Sequence, residues 1–192
     1  MFHDIGTKIW GDTMTNPVLD AIKNRRSIPR FKSTQIEEKK IEAILEAGRW
    51  APSWLNKQPW SFIVITDKGI KEQLSESVPT ALVEGLKEAP VCIAVVVNTT
   101  EDPFHFIEDG AAATQNMALA AHSLGLHSYW IGIFDLENQR KSSEARVKQI
   151  LQIPKAHRVI SILPIGYARY AIPKKERKTL YHLMYKNKFG EH

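Results

Sequence analysis

The sequence predicts an α/β-type chain in which four strands are separated by helices. Apolar runs of strand length recur between stretches in which apolar residues repeat at helical spacing. Pro or Gly ends most of these stretches, as expected at element boundaries. The chain has 192 residues, of which 43% are hydrophobic and 24% charged, and these values are typical of one globular domain with a single core.

Composition narrows the classes of partner. The net charge of +5 and the pI of about 9.3 favour an anionic partner, either a phosphorylated small molecule or a nucleic acid. The only cysteine, Cys92, lies in an apolar run, so there is no disulfide framework and a reducing, cytoplasmic compartment is expected. No apolar segment reaches membrane-spanning length. Residues 1–13 are interpreted as an N-terminal extension outside a single domain over residues 14–192.

Local signals place the helices and strands. Asn16 followed by Pro17 predicts a capped helix start, and Thr34 with Glu37 predicts a capping box for the second helix. Gly125 marks the end of the clearest helix. The predicted helices cover residues 16–25, 37–49, 68–77, 80–88, 109–124 and 137–151. The predicted strands cover residues 60–66, 91–97, 127–133 and 158–167.

The loop between the second predicted helix and the first predicted strand is the densest in polar and aromatic side chains. Pro52 and Pro59 restrict its path, and Ser53, Asn56 and Gln58 offer hydrogen-bond donors and acceptors along it. Three tryptophans flank these residues: Trp50, Trp54 and Trp60. Apolar planes beside a few polar groups suit a flat heteroaromatic ring. The alternative is a plain helix-to-strand connection with its own aromatic mini-core.

The end of the first predicted helix carries two guanidinium groups and a hydroxyl, from Arg25, Arg26 and Ser27. Such a group can hold a phosphate. The alternative is that these basic residues only complement the helix dipole. A second basic stretch covers residues 174–178.

Two further segments carry surfaces that need a packing partner. The helix over residues 109–124 contains six alanines, which allow close approach of another backbone, as in a buried central helix or a subunit interface. The C-terminal tail carries apolar residues at helical spacing, namely Leu180, Leu183 and Met184. Either this domain or a second subunit is expected to cover that face.

The absence of several known motifs argues against the folds and activities that they would indicate. The sequence contains no GxGxxG, GxxxxGK or GxSxG motif, so a dinucleotide fold, a P-loop and a hydrolase elbow are not supported. His122 and His127 lack Cys, Asp or Glu at ligand spacing, which argues against a metal site. Gly132 allows either a close backbone approach to a ligand or a simple turn. Any chemistry is therefore expected to belong to a bound organic cofactor.

Five motifs, taken in order, resemble the FMN-dependent nitroreductase family. They are RRS followed by Phe31, then APSWLNKQPWSFIVI, EDGAAATQNMALAAHSLGLHSYWIG, ILPIGYA and KKERKTL. The resemblance covers residues 16–185. It implies an α+β fold, a mixed central sheet flanked by helices in an intertwined homodimer. It also implies FMN bound at the dimer interface, with NADH or NADPH as co-substrate.

The resemblance assigns roles to residues. Positions that hold the FMN phosphate match Arg25, Ser27 and Arg177, with Arg26 and Lys175 nearby. The loop that reaches the flavin from the other subunit matches Pro52, Ser53 and Asn56, with Gln58 close by. Backbone that lies against the isoalloxazine matches Ile131, Gly132 and Ile133. No side-chain acid or base is expected, because the chemistry takes place at flavin N5.

One position departs from the family pattern. The family usually carries Arg or Lys near the flavin N1/O2 edge where this chain has Pro29. Either the adjacent Arg30 turns toward that edge, with Lys175 of the tail as another candidate for the missing charge, or Arg30 points to solvent.

The implied activity is ping-pong transfer of two electrons from NAD(P)H to a nitroaromatic, quinone or similar acceptor. The alternatives are another flavin reductase on the same scaffold, acting on enones or cleaving flavin, and a non-catalytic FMN-binding protein. Neither nucleic acid nor a membrane is expected as a partner.

Overall fold

A computed structural model describes residues 16–78, 83–137, 140, 142–171 and 175–191. The chain divides into two compact units: residues 25–171 form the larger one, and residues 1–24 with 172–192 form the smaller one. The proposed extension, residues 1–13, lies outside the described residues, as do the starts of two predicted helices near residues 80 and 138 and the basic residue Lys174. The assignment of residues 14–192 to one domain stays a prediction.

The described residues form six α-helices and five strands. The helices are α1 (Pro17–Asn24), α2 (Glu38–Arg49), α3 (Lys68–Ser77), α4 (Val83–Glu88), α5 (Phe106–Ser123) and α6 (Ser143–Ile150). The strands are β1 (Trp60–Ile65), β2 (Val91–Asn98), β3 (His127–Ser128), β4 (Ile131–Gly132) and β5 (His157–Gly166). Single 3₁₀ turns cover Trp54–Asn56 and Leu180–Leu183. None of the described helices is long and apolar enough to cross a bilayer.

The five strands belong to one sheet in the larger unit. Their order is β1-β2-β5-β3, and β4 also pairs with β5. All of these pairs are antiparallel, and parallel pairing occurs only in an isolated bridge between Ser27 and Ser128. The α+β fold implied by the resemblance is thus confirmed, whereas the α/β-type interpretation is wrong. Alternation of helices and strands along the chain does not determine strand direction.

Strand β2 forms the centre of the core. Its residues from Val91 to Val97 are all buried, and they alternate between the two faces of the sheet. One face packs against α2 and α5, with Ile44 and Met117 fully buried there. The other face is covered by residues of α3, α4 and α6. This layering places both ends of α5 against the sheet.

The predicted strand over residues 127–133 is in fact two short strands. Tyr129, between them, is 3% exposed and stacks on Phe31 with ring centroids 6.2 Å apart. Burial of this ring interrupts the ladder, so β3 and β4 pair with separate parts of β5. This is a tertiary effect that the apolar pattern of the segment does not report.

Several predicted boundaries also change. Helix α5 begins three residues before the predicted start, and α6 begins at Ser143 because the Ser142 hydroxyl accepts the Ala145 N–H at 3.2 Å. The capping box of Thr34 with Glu37 is wrong, since Glu37 itself is the N-cap of α2 and makes no side-chain cap. The aromatic mini-core is also wrong, because Trp50 and Trp54 are 72% and 41% exposed.

The smaller unit contains α1 and the C-terminal tail. The Asn16 side chain accepts the Val18 N–H at 2.8 Å, which confirms the predicted N-cap. The apolar side chains of the smaller unit are exposed, with Ile22 at 50% and Leu183 at 61%. Instead of a longer helix, the tail forms one 3₁₀ turn. The described residues of the chain therefore leave the apolar face of the tail uncovered.

Candidate functional site

An open stretch of backbone lies at one edge of the sheet. Ile131 and Ile133 are 5% and 3% exposed, whereas Gly132 between them is exposed and a Cβ atom there would meet nothing within 4 Å. Strand β4 is fixed from behind by β5, and the Ile133 N–H donates to the Ile160 carbonyl at 3.2 Å. The arrangement presents a flat backbone surface on which a planar ring fits.

The basic group after α1 lies at the same edge. Ser27 forms the bridge to Ser128, and the Ile28 N–H donates to the Ser128 carbonyl at 3.1 Å, which places Arg25, Arg26 and Ser27 next to β3. Strand β3 pairs with β5 at residues 165–166, and β4 pairs with it at residues 161–162. These positions are three to five residues apart, or roughly 10 to 17 Å at about 3.3 Å per residue. That span suits a ligand with a phosphate at one end and a ring at the other, such as FMN.

Two histidines lie close to this basic group. His122 and His127 face each other edge to face with centroids 6.1 Å apart. Burial lowers the pKa of His122, and the charges of Arg25 and Arg26 lower it further. Burial and the neighbouring His122 lower the pKa of His127. Both rings are therefore neutral at pH 7, and no cluster in the described part of the chain has the ligands for a metal ion.

The polar loop is tightly folded between α2 and β1. The Ser53 hydroxyl oxygen accepts the Gln58 N–H at 2.9 Å, and the Asn56 N–H donates to the Ser53 carbonyl at 3.0 Å. Leu55, Asn56 and Gln58 have positive φ angles of 47°, 57° and 52°. Left-handed backbone at residues other than glycine stores strain and is concentrated at functional sites. The loop thus has a defined, strained conformation that needs support from outside.

Helix α5 gives that support at two points. The Asn116 side chain donates to the Ala47 carbonyl at 3.1 Å, and the Asp109 carboxylate accepts the Trp54 N–H at 3.0 Å. The Trp54 indole also stacks on His105, with centroids 4.7 Å apart and planes 20° from parallel. Sequence reasoning did not single out Asp109 or His105. The available signal was the EDG that opens the third family-like motif.

Pro29 lies against α4. A Cβ atom at Gly85 would collide with the Pro29 carbonyl, so glycine permits this contact. The Arg30 guanidinium forms an ion pair with Glu88 at 3.0 Å, and Arg169 approaches the same carboxylate at 3.7 Å. The Arg30 side chain is 41% exposed beside Glu88, and its proposed role at the flavin N1/O2 edge stays a prediction. Its charge is met within the protein by Glu88.

The predicted site residues form two groups that adjoin different strands of the sheet. Arg25, Arg26, Ser27 and the 131–133 backbone lie beside β3 and β4, whereas Pro52, Ser53, Asn56 and Gln58 precede β1. Strands β2 and β5 lie between β1 and β3 in the strand order. The loop itself is held at the start of α5, where Asp109 accepts the Trp54 N–H. Lys175 and Arg177 belong to the smaller unit, and their role stays a prediction.

Comparison with known proteins identifies the family of this chain. The model of the nitroreductase family matches residues 22–84 and 79–167. A protein of Methanothermobacter thermautotrophicus, named as an NADH dehydrogenase/NAD(P)H nitroreductase, is 35% identical over 152 residues, which cover 78% of this chain and 76% of that protein.

Solved structures give the same result. The structure of an NADH dehydrogenase/NAD(P)H nitroreductase from Parabacteroides distasonis superposes with a TM-score of 0.84 at 28% identity, covering 91% of this chain and 100% of that one. An FMN-dependent nitroreductase from Clostridium difficile superposes with a TM-score of 0.82 at 29% identity, covering 89% and 99%. The chain belongs to the nitroreductase family of oxidoreductases.

Proposed function

We propose that this protein is an FMN-dependent oxidoreductase that carries two electrons from NADH or NADPH to a nitroaromatic, a quinone or a similar acceptor. The observation that carries the proposal is the edge formed by β3 and β4. It combines a basic group at Arg25–Ser27 with open backbone at Gly132, at a separation that suits FMN. Family membership and the similarity to the FMN-dependent nitroreductase of Clostridium difficile support it.

When bound, FMN supplies the hydride chemistry at its N5 atom. The protein's part is to bind and orient. The guanidinium groups of Arg25 and Arg26 and the Ser27 hydroxyl would hold the phosphate by charge-assisted hydrogen bonds. The closing motif adds Lys175 and Arg177 as proposed phosphate contacts. The β4 backbone would lie against the ring, and the buried Ile131 and Ile133 would exclude water from behind it.

Both substrates are proposed to use the same open face in turn, which corresponds to ping-pong kinetics. No side-chain acid or base takes part in this scheme. The two residues that flank Gly132, Ile131 and Ile133, have apolar side chains and offer no acid or base there. The acceptor would receive a hydride, and the one proton that completes its two-electron reduction would come from solvent.

We further propose a homodimer with an FMN site at each half of the interface. The polar loop precedes β1 and the basic group adjoins β3, the first and last strands of the order β1-β2-β5-β3, so a loop from a second copy would complete the site. The exposed apolar side chains of the smaller unit, including Ile22 and Leu183, need cover that the described residues do not provide. Sedimentation is expected to give a dimer at low protein concentration. A monomer that retains tightly bound FMN would contradict the shared site.

Kinetics with the purified protein test the activity. The protein should take up FMN stoichiometrically and bind riboflavin much more weakly, because riboflavin lacks the phosphate. Oxidation of NADH and of NADPH is then followed with nitroaromatics, quinones and enones, and loss of flavin absorbance reports flavin cleavage. Equal affinity for riboflavin and FMN would reject the phosphate site. Bound FMN without turnover of any acceptor would identify a non-catalytic FMN-binding protein.

A further inference from the structure

Two buried carboxyl groups lie beneath the polar loop. Asp102, between β2 and α5, is fully buried, and Asp109, in the first turn of α5, is 4% exposed. Asp109 accepts the N–H of Trp54, and Asp102 accepts the N–H of His105, whose ring stacks on Trp54, so the two carboxyl groups are neighbours. Each side chain also acts on the pKa of the other.

Each carboxyl group uses one oxygen and leaves the other without a partner. Asp102 Oδ1 accepts the N–H groups of Phe104 and His105, both at 2.9 Å, and Asp109 Oδ1 accepts the Trp54 N–H at 3.0 Å. The Oδ2 atoms of both residues are buried and have no hydrogen-bond partner among the described residues. Two facing acceptors that lack a donor can be satisfied together by one shared proton.

The surroundings favour that protonation. Burial raises the pKa of Asp109 against the effect of the Trp54 N–H, and the nearby Asp102 carboxylate adds to the rise. Burial also acts to raise the pKa of Asp102, but the N–H groups of His105 and Phe104 outweigh it and the pKa is lowered. The other titratable group that acts on the pair is His105, whose Nδ1 lies 3.7 Å from Asp102 Oδ1. These opposite directions make Asp109 the member of the pair on which a shared proton would reside.

The pair holds Trp54 from two directions. Asp109 binds its backbone N–H, and His105, whose own N–H is held by Asp102, stacks on its indole ring. Trp54 begins the 3₁₀ turn that continues through Leu55 and Asn56, both with positive φ. Because this turn is strained, its conformation depends on such anchors.

We propose that Asp102 and Asp109 share one proton and act as positioning residues, holding the Trp54 turn so that Ser53 and Asn56 present their side chains to the flavin. The last part rests on the function proposed above. Loss of the shared proton would leave two facing negative charges and an unsatisfied pair of oxygens. The Trp54 anchor should then loosen, and FMN should be held less tightly as pH rises through that ionisation.

Substitution of Asp109 separates geometry from charge. In Asp109→Asn, the amide oxygen can still accept the Trp54 N–H, and the amide nitrogen can donate permanently to Asp102. In Asp109→Ala, both contacts are lost. Asp67 provides a matched control, because its Oδ1 accepts the Ile70 N–H at 2.8 Å at the start of α3 in the same manner. Asp67→Asn and Asp67→Ala are therefore measured in parallel.

Three readouts are taken on the purified full-length protein across a pH series: hydrogen exchange of the Trp54 amide, the infrared band of a buried protonated carboxyl group, and release of FMN on dilution. For Asp109→Ala, we expect Trp54 exchange and FMN dissociation to increase by about tenfold or more, because the Trp54 N–H loses its acceptor and the Asp102 carboxyl group loses its partner. For Asp109→Asn, we expect near wild-type values, a flat pH profile and loss of the infrared band. The Asp67 variants should match wild type.

Three results would overturn the proposal: absence of the infrared band from the wild type at every pH above the ordinary aspartate pKa, Trp54 exchange in Asp109→Ala that equals wild type, or Asp109→Asn that behaves like Asp109→Ala. Failure of the proposed function is distinguishable, because a wild type that binds no FMN still reports on Trp54 through exchange and on the proton through the infrared band.

Discussion

Two buried carboxylate centres in the larger unit differ in how completely they are satisfied. Glu144 is 1% exposed, and its two oxygens accept four hydrogen bonds: from Arg158 Nε and Nη2 at 2.7 and 2.8 Å, and from the N–H groups of Val159 and Asp135 at 3.0 and 2.9 Å. Arg158 also lies over the Phe134 ring, 4.4 Å from its centroid. This centre joins α6 to β5 and to the segment after β4.

The Asp102–Asp109 pair has no such counterion, and each residue keeps one oxygen without a partner. The comparison teaches that burial of a carboxylate has two different consequences. Where a guanidinium and backbone donors satisfy every oxygen, the group is part of the framework. Where donors are missing, a proton takes their place, and the group becomes sensitive to pH. The second kind lies beneath the loop that carries the proposed flavin contacts.

Removal of the satisfied carboxylate should have the largest effect. Glu144→Ala leaves the Arg158 side chain, which is 14% exposed, without its carboxylate, and breaking a largely buried pair in this way costs about 3–5 kcal/mol. We expect that loss in the free energy of unfolding, measured by urea denaturation. Glu46→Ala, which breaks the exposed pair of Glu46 with Arg49 on α2, is the control and should change stability little. Equal effects of the two substitutions would contradict the distinction drawn here.

Loss of a proposed phosphate contact should have the next largest effect. Arg25→Ala removes a charge-assisted hydrogen bond worth ~1.5–3 kcal/mol, so the dissociation constant of FMN should rise roughly tenfold to a hundredfold. Arg177→Ala is expected to act in the same direction. Riboflavin binding should not respond to either change. Arg49→Ala, on the exposed face of α2, serves as control, and unchanged FMN affinity in both site variants would favour dipole compensation and a solvated tail.

Gly132 allows binding to be tested without disturbing the core. A Cβ atom there meets nothing within 4 Å, so Gly132→Ala should leave the free energy of unfolding within about 0.5 kcal/mol of wild type. A methyl group on the surface against which the ring is proposed to lie should weaken FMN binding by about tenfold. Gly85→Ala should instead lower the free energy of unfolding, because its Cβ atom would collide with the Pro29 carbonyl. Wild-type FMN affinity in Gly132→Ala would place the ring elsewhere.

The smallest effect expected is a slope in stability with pH. Because the pKa of Asp109 is raised in the folded protein, the folded state holds a proton that the unfolded state has already lost. The free energy of unfolding should therefore fall as pH rises from the ordinary aspartate pKa to the raised value, by at most about 1.4 kcal/mol per pH unit. Asp102, whose pKa is lowered, contributes the opposite slope at more acidic pH.

Urea denaturation at a series of pH values should show the falling slope in wild type and its loss in Asp109→Asn. Glu144→Gln is a useful comparison, because it alters the other centre. If Asp109→Asn retained the wild-type slope, another group would have to be its source.

Local sequence signals predicted the structure well wherever the conformation depends only on residues close in sequence. The Asn16 cap depends on one side chain and a neighbouring N–H, and Gly125 takes a φ of 76° at the end of α5, as a left-handed C-cap requires. The buried run of β2 was also predictable, since seven consecutive apolar residues are typical of a buried strand. These features need no knowledge of distant residues.

The sequence by itself determined the element order, the central strand, the family-like motifs and the basic and polar groups of the site. Only the tertiary structure decided strand direction, the division of residues 127–133 by the buried ring of Tyr129, and the placement of the basic group beside β3 and of the polar loop against the start of α5. The same is true of the Asp102–Asp109 pair beneath Trp54 and of the ion pair that occupies Arg30. Each of these depends on contacts between residues distant in sequence, where burial and unmet hydrogen bonds, rather than local propensity, set the energy.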